Sequence, residues 1–216
     1  MKDIIQGIQS FQSETHPKKG ELLAKLASGQ SPKVLLITCS DSRIVPSLIT
    51  HTDPGDIFII RNAGNLVAPF SSSTAASGEE ATIEYAVAAL GVEHIVVCGH
   101  SDCGAMKGVM NPDALSGVPS VAKWLEGAFP TKGLAESKYG ADLSDADKLS
   151  RVIELNALRQ VENLRGHKAV AAAVADGKVA LHAWVYSIGT GVITAYDEGQ
   201  DSFVALESDA TPIQKE

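Results

Sequence analysis

The chain has 216 residues, 44% of them hydrophobic, which is enough for one domain with a real core. Its net charge of −8 excludes nucleic acid and an anionic membrane surface as main partners, since both call for clustered Lys and Arg. The N-terminus lacks the apolar run of a secretory leader, and no window reaches the roughly 18 apolar residues of a membrane span; the nearest, AVAALGVEHIVV, is broken by Glu93 and His94.

Residues 1–30 read as a polar, helix-biased arm, with ELLAKLAS (21–28) its clearest helical pattern. KVLLITCS (33–40) is a short continuous apolar run, the pattern of a strand covered on both faces. GDIFIIRNAGN (55–65) is a second such run, set off by the turn signal Asp53-Pro54-Gly55. After a Ser-rich loop, SGEEATIEYAVAAL (77–90) carries Ser and Glu at N-terminal helix positions and ends at Gly91. HIVVCGH (94–100) is the third strand.

Helices are expected at about 102–110 and 118–128, then a polar Gly- and Asp-rich insertion (131–147). A long helix at roughly 148–165, closed by Gly166, and an Ala-rich helix (168–175) follow. Two apolar strands flanking Gly189-Thr190-Gly191 form a hairpin within 178–198. Strands separated by helices predict an α/β fold: a mainly parallel central sheet with an antiparallel edge, flanked by helices and preceded by the helical arm. Without linker or repeat, residues 1–216 are expected to form one domain.

Three cysteines make an odd count, better suited to free thiols in a reducing cytoplasm than to a disulfide framework. Cys39 ends the first strand, and His100 and Cys103 follow the third. A helix starting at His100 would put both side chains on one face, with backbone N–H groups favouring the thiolate. An HxxC pair alone is compatible with a structural role. Joined by Cys39 at a neighbouring strand end, it becomes a set of three zinc-type ligands with a fourth position open, in the crevice where doubly wound sheets place their sites. Cys98, inside the strand, reads as a small core residue, and the other histidines have no partner spacing. No GxGxxG, P-loop or CxxC pattern is present.

CSDSR at 39–43, RNAGN at 61–65 and GHSDCG at 99–104 resemble, in this order and spacing, the β-class carbonic anhydrases, over about residues 15–197. The resemblance implies an α/β zinc lyase that interconverts carbon dioxide and bicarbonate, with a homodimer as its smallest unit and dimers that pair further. It makes Cys39, His100 and Cys103 the ligands of one Zn²⁺ per chain. It makes Asp41 and Arg43 a dyad in which the carboxylate orients hydroxide on the metal and the guanidinium keeps that carboxylate off it. Gln30, Phe58, Ala63, Tyr85 and Gly104 match the carbon dioxide pocket of the plant-like, open-site branch, with Phe58, Ala63 and Tyr85 reaching it from the partner subunit. Another branch has a second bicarbonate site of Trp, Arg and Tyr; here Arg61 and Tyr186 match but Leu36 stands in place of the Trp. Two alternatives share this scaffold: a carbon disulfide or carbonyl sulfide hydrolase, and a non-catalytic zinc or bicarbonate sensor. Intact Asp41 and Arg43 weigh against the sensor.

Overall fold

A computed structural model of the chain describes residues 1–70, 77–206, 212 and 213. The Ser-rich loop expected before residue 77 falls on residues 71–76, outside the described residues. The arm comprises α1 (Lys2–Ser10), continuous through a π-helical turn (Phe11–Thr15) with the short α2 (His16–Lys18), and then α3 (Gly20–Leu26). It is amphipathic rather than polar. Ile4, Ile5 and Ile8 share one face of α1, and with Phe11 they stand exposed.

The sheet has the order β2-β1-β3-β4-β5-β6. Strands β1 (Val34–Cys39), β2 (Ile57–Asn62), β3 (His94–His100) and β4 (Ala180–Tyr186) pair in parallel. The expected hairpin joins β4 to β5 (Ile193–Asp197), and β6 (Ser202–Ala205) extends the antiparallel edge. Sequence reading missed β6, because four residues are too short to show a period.

Helix α4 (Pro46–Thr50) lies between β1 and β2, and α5 (Gly78–Glu84) continues as a π-helical turn (Tyr85–Ala89) before β3. Ser77 caps α5 by accepting from the Glu80 amide. After β3 come α6 (Gly104–Met110), α7 (Pro119–Leu125), α8 (Pro130–Tyr139), α9 (Asp145–Arg165) and α10 (Lys168–Ala175). The insertion expected at 131–147 is thus largely helical. Its buried positions, Thr131 and Ala135, keep an i, i+4 spacing but are small, so no apolar stripe marks them. α9 begins before residue 148 because Ser144 caps it, its Oγ accepting from the Asp147 amide.

One sheet face forms the main core. Leu35 and Ile37, Ile95 and Val97, and Leu181 and Ala183 alternate inward from β1, β3 and β4. They meet Ala157, Val161 and Leu164 of α9, and each large buried side chain contributes about 1.5–3 kcal/mol. Gly99 lets α9 come close, since a Cβ there would lie 3.1 Å from Ile153 Cγ2. No described helix is long and apolar enough to cross a membrane.

The opposite face carries Leu36, Val96 and Cys98 packed with Trp184 and Tyr186. On it His94 Nδ1 lies 3.1 Å from His182 Nε2. Burial, aided by His94, pushes the His182 pKa down to about 4 from 6.5. Between these two values the unfolded chain takes up a proton that the folded chain refuses. Stability is therefore expected to fall as pH drops from about 6.5 toward 4. Urea unfolding across this range should show a shallower loss for His182→Gln; equal slopes would remove His182 as the cause.

Candidate metal centre and active site

β1 and β3 are central neighbours, in register from Val34 opposite His94 to Thr38 opposite Cys98. Both end at the same edge, which brings Cys39 beside His100. The chain then turns through Asp102 in the left-handed region (φ 60) and places Cys103 just ahead of α6. His100 and Cys103 thus converge across a tight turn, not along one helix face as the spacing suggested. The strand runs through His100, and the helix begins only at Gly104.

The ligand atoms of Cys39, His100 and Cys103 lie within 4.8 Å of one another. All three residues are buried, at 6%, 0% and 1% exposure. His100 Nδ1 is 2.9 Å from the Ser101 carbonyl and donates to it, which leaves Nε2 as the bare lone pair. Ser101 is held in turn by its amide on the Tyr186 carbonyl and by the Ile188 amide on its Oγ. Nε2 is buried without a hydrogen-bond partner. A buried imidazole lone pair facing two sulfurs fits a borderline-soft divalent cation such as zinc.

The two thiols are electrostatically unequal. The Cys103 thiol and the Gly64 amide lower the Cys39 pKa against the opposing effect of burial, whereas Cys103 is pushed up by its bond to Cys39 and by burial. The Gly64 N–H donates to Cys39 Sγ at 3.4 Å. Cys98 is buried in the small cluster of the opposite face, and burial raises its pKa to about 12, which suits the core role expected for it.

Asp41 and Arg43 form a forked pair beside this cluster. Asp41 Oδ1 accepts from the Arg43 amide (3.0 Å) and Nε (2.9 Å), and Oδ2 accepts from Nη2 (2.7 Å). These bonds hold the Asp41 carboxyl well below the usual carboxylate range. Oδ2 lies 3.9 Å from His100 Nε2, so the carboxylate faces the cluster while remaining paired with Arg43.

Sequence reading missed the charges that hold Arg43 from its other side. Arg43 Nη1 also donates to Asp102 Oδ2 (3.0 Å), and Asp102 is ion-paired with Lys107. Asp102 and Lys107 sit around a turn and one helical turn on, a spacing with no signature before the turn is known. Arg61 clasps the main chain, with Nε donating to the Cys39 carbonyl (3.0 Å) and Nη2 to that of Asp41 (2.7 Å). Leu36 and Tyr186 pack in the same apolar cluster.

The five residues expected to line a substrate pocket separate into two groups. Gly104 follows Cys103 directly, and Ala63 precedes the Gly64 amide that touches Cys39. Phe58 pairs with Leu35, four register steps and so about 13 Å from the Cys39 end of the sheet. Its ring meets that of Tyr85, half exposed, at 6.1 Å. Gln30 is exposed ahead of β1. Within one chain, Phe58 and Tyr85 stand away from the cysteines and the histidine.

The carbonic anhydrase family matches residues 34–193. A carbonic anhydrase of Pseudomonas aeruginosa is 44% identical over 206 residues, spanning 95% of this chain and 92% of that protein. Among solved structures, the β-carbonic anhydrase CcaA superposes with a TM-score of 0.90 at 39% identity, covering 95% of this chain and 99% of that one. A tetrameric β-carbonic anhydrase of Sordaria macrospora gives 0.78 at 31% identity, over 89% and 94% of the two chains. The sheet order, the buried Cys-His-Cys cluster and these likenesses agree, and the chain belongs to the β-class carbonic anhydrases, enzymes of carbon dioxide hydration.

Proposed function

We propose that the chain hydrates carbon dioxide reversibly at one zinc ion held by Cys39, His100 and Cys103. The observation that carries this reading is the buried, unpartnered His100 Nε2 beside two sulfurs. Zinc, when bound, supplies a Lewis acid that brings the pKa of water toward roughly 7.

The chain's own residues do the rest. Asp41 accepts the hydrogen of the attacking oxygen and so turns a lone pair toward the carbon of carbon dioxide. Arg43 occupies the outer side of that carboxylate with two charge-assisted bonds and restrains it from ligating the metal. Turning toward the metal would cost the carboxylate these two bonds and the one from the Arg43 amide, which favours an open site. Gln30 donates to the nascent bicarbonate oxygen, and Phe58, Ala63, Tyr85 and Gly104 form the dry wall. The carbon–oxygen bond forms as one π bond of carbon dioxide breaks, and the released proton passes to buffer. With Arg61 engaged on carbonyl oxygens and Leu36 in an apolar cluster, a second bicarbonate site is not part of this reading.

The four-step distance of Phe58 from the strand end supports a homodimer in which the partner supplies Phe58 and Tyr85, whereas Ala63, also expected from the partner, precedes the amide on the chain's own Cys39. The exposed stripe of α1 supports an arm laid on that partner, and pairing of dimers is compatible with it. The whole of residues 1–216 acts as one domain. Three unbridged cysteines suit a reducing compartment such as the cytoplasm.

Stopped-flow hydration should be fast with zinc and abolished by a strong chelator. Cys103→Ala is expected to lose both metal and activity, and a zinc-loaded, fully active Cys103→Ala protein would overturn the ligand set. Asp41→Ala and Arg43→Ala should each keep stoichiometric zinc and lose about 10²–10³ in rate. Near wild-type turnover in either would refute the dyad. Sedimentation should give a dimer or a multiple of it, and an active monomer at assay concentration would defeat the shared pocket.

A further inference from the structure

The peptide joining Ala63 to Gly64 and the one that follows it are each held by a side chain. Trp124 Nε1 donates to the Ala63 carbonyl at 2.8 Å. Asn156 Nδ2, on α9, donates to the Gly64 carbonyl at 3.1 Å. Gly64 itself has φ +85, and a Cβ there would lie 3.0 Å from Ala105 Cβ and 3.1 Å from Met106 Cε. Only glycine suits that conformation at that spacing. What remains of the peptide is its N–H, and it points at Cys39 Sγ, 3.4 Å away.

We infer that Trp124 and Asn156 are positioning residues that aim the Gly64 amide at the Cys39 sulfur and thereby set its strength as a metal ligand. The inference rests on the proposed ligand role of Cys39. Carbonyl and N–H of a trans peptide are antiparallel, so a donor on the Ala63 oxygen polarises the Gly64 N–H. That N–H draws charge from the sulfur, and a less charged thiolate leaves a bound cation more electrophilic.

The support behind the clamp is itself buried and polar. Asn156 and Gln160 are 1% and 2% exposed. Asn156 Oδ1 accepts from Gln160 Nε2 (2.9 Å), while Gln160 Oε1 accepts from the Val67 amide (2.9 Å). Two buried amides on the core face of a helix would be replaced by leucines if packing were their only role. Their bonds instead fix the main chain on both sides of Leu66.

Trp124→Phe keeps most of the ring volume and deletes the donor. In the cobalt(II)-substituted protein its thiolate-to-cobalt charge-transfer band is expected to move to lower energy than in wild type. Thermal unfolding of the metal-free protein should remain close to wild type. A folded Trp124→Phe protein with the band unmoved overturns the inference. Should the variant fail to fold, wild type decides. In the cadmium-113 protein the Gly64 amide proton should show coupling to the metal through Cys39 Sγ, and its absence overturns the inference equally. A wild-type protein giving no thiolate-to-cobalt band would overturn the ligand assignment beneath it.

Discussion

Burying an imidazole lone pair and two sulfurs within 4.8 Å of one another is the constraint to which the surrounding structure answers. An unpaired buried polar atom costs about 1–3 kcal/mol, and the two thiols cannot both ionise at that separation without repulsion. The opposite shifts of Cys39 and Cys103 express that conflict. A divalent cation resolves both problems at once. The geometry follows from topology: β1 and β3 must be parallel neighbours, and they must end at one edge. Their turns must also double back sharply, which Asp102 allows by adopting φ 60.

Around the buried centre the charges position more than they stabilise. Arg43 is about half exposed, and so is Asp102. Exposed pairs of this kind are each worth about 0–1 kcal/mol. Their geometric effect is larger. Arg43 has carboxylates on two sides, Asp41 inward and Asp102 outward, and Lys107 holds Asp102 from beyond. A guanidinium fixed in this way presents its fork to Asp41 in one orientation. Arg61 acts on the main chain of the same segment, since its two bonds fall on the carbonyls of Cys39 and Asp41.

Much of this was legible in the sequence, for reasons that particular elements make clear. Residues 34–39 and 94–100 are unbroken apolar runs, and strands covered on both faces leave that trace. Cys39 and the HxxC pair were visible because few residue types bind soft cations, so their positions stand out. α8 was hidden because its buried side chains are Thr131 and Ala135, and β6 because it has only four residues. The arm was misread as polar although Ile4, Ile5 and Ile8 fall on one helical face. The interleaved Lys, Asp and Gln lower its average and mask the stripe. Asp102, Lys107, Trp124 and Asn156 come from turns and helices scattered along the chain. What unites them is the fold, and no spacing encodes it.

Two features of the chain remain unanswered by its own atoms, and they lie on one side of the argument. β2 is an outer strand of the sheet, and its Phe58, with Tyr85 against it, lies far from the cysteines. α1 carries an apolar stripe of which no residue is buried among the described residues. An exposed strand edge and an exposed apolar helix are both liabilities in isolation. A second copy of the chain would cover them with the surfaces they lack, and in the reading proposed above would bring Phe58 and Tyr85 toward the metal centre. In that arrangement the metal centre is a property of one chain and the substrate wall a property of two. Association would then be part of the chemistry, because a non-polar substrate needs a dry wall and two of its proposed residues would come from the partner.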